Sequence, residues 1–174
     1  MSAPDAGPAT VLVAQALSAA GFAPYGHLIA PGQQQRDINF GTTRRFDDVA
    51  HLDTDAQGGR VGVAIFRTDA ETHVAPYPVR AFERHLLGSQ SFVPMGAGRM
   101  LVVLAGCDAQ PDEAAIVAFI VEPGQGVTLK RGVWHHPLIT IGAADVLVIE
   151  RMAQAEDCEV VTMRSRVEVV LAQR

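Results

Sequence analysis

From residue 61 onward, the chain alternates between short apolar stretches and Gly, Pro or Asp residues that separate them. β-branched or aromatic residues alternate with other types in several of these stretches, as in residues 79–85. This period of two predicts strands, and strands that recur every 8–12 residues or so are typical of an antiparallel sandwich or barrel. The predicted strands are VGVAIFR, VRAFERH, SQSFVP, RMLVVLAG, AAIVAFIVEPG, QGVTLKRG, WHHPLITIG, ADVLVIERM and CEVVTM. We therefore predict a mainly β protein, an antiparallel β-barrel of short strands.

The first third of the chain has a less regular pattern. Val11–Val13 predicts a short strand, and Ser18 is placed to cap a helix of one or two turns that ends near Gly21. Residues 31–59 are too polar for a central core and too rich in Phe and Ile for a bare linker. The length of 174 residues favours one domain. We expect a flexible N-terminus over residues 1–10 and a single domain over residues 11–174.

Composition and charge exclude several classes of protein. The chain is 48% hydrophobic and 19% charged, which argues against intrinsic disorder. A net charge of -5 argues against a nucleic-acid partner, because binding to the phosphate backbone needs an excess of cations. The longest apolar run, residues 114–121, is much shorter than the ~20 residues of a membrane-spanning helix, and no secretory leader is evident. We expect a cytoplasmic protein with no membrane partner.

Two clusters contain side chains that bind metal ions in other proteins. On a strand, Glu83 and His85 lie on the same face, with Gln90 shortly after them. His135 and His136 are neighbours, so a strand would turn them to opposite sides and allow only one to join Glu83 and His85. The alternative is a solvated strand for the first cluster and a surface turn for the second.

The spacing of these clusters resembles the two metal-binding motifs of the cupin superfamily. Glu83, His85, Gln90 and His135 match the four ligand positions of those motifs. The resemblance implies a bound divalent metal, nickel or another first-row ion, since imidazole and carboxylate ligands suit several of these metals. Two unusual ligands among the four positions leave open a weak site or none.

The stretches ERHLLGSQSFVPMG, RGVWHHPL and IERMAQAEDCEVV resemble the signature segments of the ureidoglycolate lyase family. This resemblance implies a cupin-type barrel (a double-stranded β-helix) with a few short helices, usually a homodimer and without an organic cofactor. It also implies cleavage of (S)-ureidoglycolate, a small anionic substrate, into glyoxylate and urea during allantoin degradation. Residues 127–131, VTLKR, differ from the usual family pattern, which keeps two alternatives open. One is a non-catalytic or differently specific cupin-like protein that binds small acids, and the other is a hydrolase that releases ammonia.

The implied reaction needs an anchor for a carboxylate, a general base and a general acid. The candidate substrate-binding residues are Asn39, Arg45 and Arg67. Guanidinium groups bind carboxylates through two parallel hydrogen bonds, which favours the two arginines, although either could instead pair with a nearby aspartate. The candidate residues for proton transfer are Lys130, Glu150 and His136.

Overall fold

The computed structural model describes residues 9–69, 74–155 and 157–172. Most of the segment 1–10, predicted to be flexible, lies outside the described residues. The strands are β1 (Thr10–Ala16), β2 (Gly26–Ile29), β3 (Arg36–Ile38), β4 (Thr43–Arg45), β5 (Arg60–Thr68), β6 (Tyr77–Arg84), β7 (Gln90–Pro94), β8 (Met100–Leu104), β9 (Val117–Val121), β10 (Gly126–Leu129), β11 (Ile139–Thr140), β12 (Ala144–Met152) and β13 (Glu159–Leu171). One short helix, α1 (Ala19–Phe22), begins after Ser18, whose side chain accepts a hydrogen bond from the backbone N–H of Gly21, as predicted. Single 3₁₀ turns cover Asn39–Gly41 and Ala56–Gly58.

Two sheets form the body of the protein and nearly close into a barrel. The six-stranded sheet has the order β11-β8-β9-β1-β13-β6, and the five-stranded sheet has the order β2-β10-β7-β12-β5. β1 runs parallel to β13 and to β9, whereas the other paired strands are antiparallel. This architecture confirms the predicted mainly β, cupin-type barrel. Among the described residues, no helix has the length and apolar character needed to span a membrane.

The core between the two sheets forms because alternate residues of each strand point inward. Phe92 and Val148 of the five-stranded sheet pack in one cluster with Leu104 and Phe119 of the six-stranded sheet. All five residues of β8 are buried, because the opposite face of this strand packs in a second cluster that includes Trp134. These two clusters hold β6, β7 and the segment around Trp134 against one another, and the candidate site lies where these segments meet.

A glycine at the start of β2 allows two strands to approach closely. Gly26 pairs with Leu129, and a Cβ atom at residue 26 would collide with the backbone oxygen of Thr128. We expect Gly26→Ala to lower the free energy of unfolding by about 1–3 kcal/mol, the usual cost of overpacking, in urea denaturation. Gly32→Ala is the matched control, because a Cβ atom there meets no atom of the described residues within 4 Å. Equal stability of the two variants would contradict this account.

Candidate functional site

A cavity of about 380 Å³ opens at the barrel end where β6, β7 and β12 come together. It contains three carboxylates, one arginine, several apolar groups and two neutral side chains that can bind metals, His85 and Gln90. Its lining consists of Phe66, Glu83, His85, Gly88, Ser89, Gln90, Glu150, Arg151, Met152, Ala153, Ala155, Asp157 and Cys158. We refer to this space as the cavity.

A pair of backbone hydrogen bonds brings the two sequence clusters together. The N–H of Glu83 donates to the carbonyl of His135 at 2.8 Å, and the N–H of His135 donates to the carbonyl of Glu83 at 2.9 Å. Gly132 turns the chain into this bridge with a φ of 77°, a conformation that favours glycine. The side chain of His135 is therefore buried beside Glu83 and His85, while the backbone N–H of His136 donates to Val103 on the other side.

The two histidines of the cluster have their ring orientation set by backbone carbonyls. Nδ1 of His85 lies 2.8 Å from the carbonyl of Asp157, and Nδ1 of His135 lies 2.9 Å from the carbonyl of Val133. A carbonyl can only accept, so Nδ1 carries the proton in each ring and the neutral form keeps its lone pair on Nε2. Nε2 of His85 is buried and has no hydrogen-bond partner among the described residues. Histidines that bind metals through Nε2 are oriented in this way.

Gln90 adds a further acceptor to the cluster. Its amide nitrogen donates to Oε2 of Glu150 at 2.7 Å, which turns its carbonyl oxygen toward Nε2 of His135, 3.0 Å away. Oε1 of Glu83 lies 3.5 Å from the same nitrogen. The ligand atoms of Glu83, His85 and His135 all lie within 4.8 Å of one another. When both imidazoles are neutral, lone pairs converge here without a matching donor, so these residues fit a divalent metal ion.

Electrostatics favour the ionised form of Glu83. Burial alone would raise the pKa of this carboxyl group, but His135, His85 and His136 in their protonated forms lower it further than burial raises it. The net pKa lies below its ordinary value, so the group is a carboxylate at neutral pH. Among the lining residues that the structure describes, Arg151 is the one guanidinium or ammonium group facing three carboxylates. The cavity is therefore acidic and suited to a bound cation.

Asp157 holds the turn that follows β6. Its carboxylate accepts hydrogen bonds from the backbone N–H groups of Leu86 at 3.0 Å and Leu87 at 2.5 Å, and its carbonyl orients His85. Asp157 lies within the stretch IERMAQAEDCEVV, but the sequence alone did not predict a role for it. Arg151 was missed as well, although it directly follows Glu150, because no local motif marks either side chain. Nε of Arg151 donates to the carbonyl of Ala56 at 2.9 Å.

The other sequence-predicted residues lie outside the lining of the cavity. Arg67 makes two hydrogen bonds with Asp145, at 2.6 and 2.7 Å, and its side chain is 76% exposed. Arg45 pairs with Asp47 at 2.5 Å. The remaining three residues also have partners outside the lining: Asn39 bonds to Thr43, Lys130 to the carbonyl of Ala23, and His136 to the carbonyl of Pro137. Of the candidates for proton transfer, Glu150 alone lines the cavity.

Comparison with known proteins identifies the family. The family model described as ureidoglycolate lyase matches residues 9–170. The chain belongs to the ureidoglycolate lyase family. A protein of Burkholderia mallei (strain NCTC 10229) named ureidoglycolate lyase is 44% identical over 137 residues, which cover 78% of this chain and 79% of the relative.

Further relatives with the same name have similar coverage. The Burkholderia cepacia protein is 39% identical over 153 residues, 86% of this chain and 84% of its own length. A Pseudomonas fluorescens protein (strain Pf-5) is 37% identical over 150 residues, 85% of this chain and 89% of its own length. Membership of the ureidoglycolate lyase family confirms the resemblance found in the sequence, and the cavity lies within the matched residues.

Loss of one imidazole should weaken cation binding. We expect His135→Ala to lower the affinity of the metal-stripped protein for Ni²⁺ or Zn²⁺ by more than 10-fold or so in isothermal titration calorimetry, because even indirect partners of metal ligands contribute about 10–100-fold. His51→Ala is the matched control, because His51 is exposed and lies outside the cavity lining. Equal affinities for the two variants would rule out His135 as a ligand.

Proposed function

We propose that this chain cleaves (S)-ureidoglycolate into glyoxylate and urea. Support comes from membership of the ureidoglycolate lyase family together with a cavity that combines a cluster of ionised and neutral acceptors with one arginine. That combination suits a small anion which must lose one proton and gain another. The observation that carries the proposal is the placement of Arg151 and Glu150 beside the Glu83, His85 and His135 cluster.

The chemistry of the substrate defines what the cavity has to do. One carbon of ureidoglycolate bears a carboxylate, a hydroxyl group and a ureido nitrogen. Cleavage removes the hydroxyl proton as the C–O bond becomes a carbonyl, breaks the C–N bond and delivers a proton to the departing nitrogen. The sum of the products, glyoxylate and urea, has the same atoms as the substrate, so no water or redox partner is consumed.

Arg151 is our proposed anchor for the substrate carboxylate. The hydrogen bond from its Nε to the carbonyl of Ala56 fixes the guanidinium plane, while its terminal nitrogens have the geometry to bind a carboxylate through two hydrogen bonds. Arg45 and Arg67, the anchors proposed from sequence, are the alternatives. Both are occupied by aspartate partners on the surface of the same chain, which favours Arg151.

Glu150 is our proposed residue for proton transfer. Its carboxylate lines the cavity and is held by the amide of Gln90 at 2.7 Å, so its orientation is fixed relative to the acceptor cluster. A carboxylate in this place takes the hydroxyl proton and returns it to the urea nitrogen. Lys130 and His136 remain the alternatives that the sequence suggests, each bonded to a backbone carbonyl outside the lining.

Glu83, His85, Gln90 and His135 would hold a divalent ion, nickel or another first-row metal, without any organic cofactor. Such an ion, when bound, acts as a Lewis acid that polarises a substrate oxygen. The residues themselves contribute orientation, because the carbonyls of Asp157 and Val133 fix both imidazoles before any ligand arrives. This preorganisation avoids the cost of arranging the ligands during the reaction.

We also propose a cytoplasmic homodimer with residues 11–174 as its domain. The outward face of the edge strand β5 supports a second subunit, since Val61, Val63 and Ile65 are 49%, 64% and 58% exposed. Adjacent exposed apolar side chains on an edge strand favour association with a partner surface. Two-fold pairing of identical chains is the commonest closed assembly.

Product analysis tests the proposed reaction. Incubation of the metal-loaded protein with (S)-ureidoglycolate should release urea and glyoxylate in equal amounts, measured by enzyme-coupled assays, without ammonia. Ammonia in place of urea would identify the hydrolase alternative. Substrate binding without turnover would identify the non-catalytic alternative.

Replacement of Arg151 by Lys should mainly weaken substrate binding. Lysine keeps the positive charge but loses the paired hydrogen bonds, so we expect Arg151→Lys to raise KM by about tenfold, as a hydrogen bond to a charged group contributes roughly 1.5–3 kcal/mol. A smaller change in kcat would indicate a binding role. Arg67→Lys is the matched comparison in steady-state kinetics. A larger rise of KM in Arg67→Lys than in Arg151→Lys would restore the sequence-based assignment.

A further inference from the structure

Residues 36–45 form a two-stranded hairpin that stands apart from the barrel; we refer to it as the arm. Its strands pair in the register Arg36↔Arg45, Asp37↔Arg44 and Ile38↔Thr43. β3, β4 and the turn between them make their main contacts with one another. Every residue of the arm is exposed except Ile38, which is half-buried.

The tip of the arm presents an aromatic ring to solvent. Asn39, Phe40 and Gly41 have φ values of 51°, 59° and 81°, in the left-handed region that is costly for a residue such as Phe. The N–H and hydroxyl of Thr42 both donate to the carbonyl of Asn39, which stabilises the turn. Phe40 has a relative exposure of 109%. The chain therefore adopts an unfavourable backbone conformation that displays an apolar side chain fully to water.

The arm would be stabilised by packing against a partner surface. A two-stranded hairpin without packing is marginally stable in water, and an exposed Phe adds an unfavourable hydrophobic surface. We propose that the arm of each chain docks on the mouth of the cavity of a second copy of this chain. The proposal rests on the homodimer proposed above and adds the arm to the β5 face as a second part of its interface, whereas it does not depend on which reaction the cavity performs.

The mouth of the cavity offers a matching apolar rim. Phe66 and Met152 line the cavity and remain 38% and 44% exposed. Leu86, which follows the cavity residue His85, is 43% exposed. An aromatic ring placed on this rim would bury apolar area on both surfaces.

The charges of the two surfaces are also complementary. The arm contains three arginines and one aspartate, but Arg36 and Arg45 both pair with Asp47, so residues 36–47 carry a net charge of +1. The cavity has three carboxylates against Arg151. A two-fold axis lets each chain contribute one arm and receive one, so a single geometry satisfies both surfaces. Charge complementarity and reciprocity favour a second copy over an unrelated partner.

Docking in this way makes the site a shared one. No residue of the arm lines the cavity of its own chain. Asn39 and Arg45, two of the three substrate-binding residues predicted from sequence, lie on the arm, and Arg44 is exposed beside them. In the dimer Asn39 and Arg44 approach the cavity of the partner, where the exposed Arg44 adds positive charge for an anionic substrate, while Arg45 stays paired with Asp47. A single chain then has an incomplete site.

Disulfide trapping tests the contact without relying on activity. In a background with Cys107→Ser and Cys158→Ser, Thr42→Cys on the arm is combined with Met152→Cys on the rim. We expect oxidation to give a species of twice the chain mass on non-reducing gels. The matched control replaces Met152→Cys by Ala109→Cys, at an exposed residue outside the cavity lining, and should stay at the mass of one chain. An intrachain disulfide, no disulfide, or a monomeric wild-type protein in analytical ultracentrifugation would overturn the proposal.

Subunit complementation tests the shared site. The arm variant Phe40→Gly/Arg44→Glu keeps the turn, because glycine readily adopts positive φ, and the site variant is His135→Ala. Each homodimer should lose most urea release, whereas mixed dimers purified through two different tags should regain about half of the wild-type activity, since one of two sites is native. Fully active arm variants or inactive mixed dimers would contradict the shared site. If the wild type releases no urea, the proposed reaction fails and disulfide trapping alone decides the arm contact.

Discussion

The reciprocal backbone hydrogen bonds between Glu83 and His135 are the constraint on which the site depends. They join two segments that are more than fifty residues apart in the chain and set the register of the segment that carries both neighbouring histidines. A shift of one residue would turn His136 toward the cavity in place of His135. The buried ring of Trp134, whose Nε1 donates to the carbonyl of Asp108, resists such a shift.

This register produces a cluster in which neighbouring hydrogen-bond acceptors set the tautomers and orientations of the side chains. Carbonyls of Val133 and Asp157 fix the imidazole tautomers, and the carboxylate of Glu150 fixes the amide of Gln90. Because each of these three groups accepts a hydrogen bond, the neutral imidazoles turn the lone pair of Nε2 toward the middle of the cluster, and Gln90 turns its carbonyl oxygen there. Asp157 has two roles, because its side chain holds the turn after β6 and its backbone carbonyl orients His85.

Local pattern predicted much of the fold and part of the site. Alternation of period two correctly placed Glu83 and His85 together and separated His135 from His136, because these relations depend on a single strand. Arg151 and Asp157 escaped prediction, since their positions depend on how the end of β12 and the segment after it cross the turn that follows β6. For Arg67, the sequence predicted a carboxylate anchor, but the structure gives it a partner within the chain. This partner, Asp145, lies 78 residues away, and only the pairing of β5 with β12 brings the two side chains together.

An acidic protein that binds an anion needs positive charge close to the binding site. The chain has a net charge of -5, and its cavity contains Glu83, Glu150 and Asp157. Arg151 alone would leave a bound carboxylate facing an excess of negative charge at close range, where a low dielectric makes repulsion strong. A cation among the acceptor side chains and the arginines of an arm from a second subunit would each reduce this repulsion. The acidity of the cavity is thus the physical reason for both proposals, because the same carboxylates that attract a metal ion and a basic arm would otherwise repel the substrate.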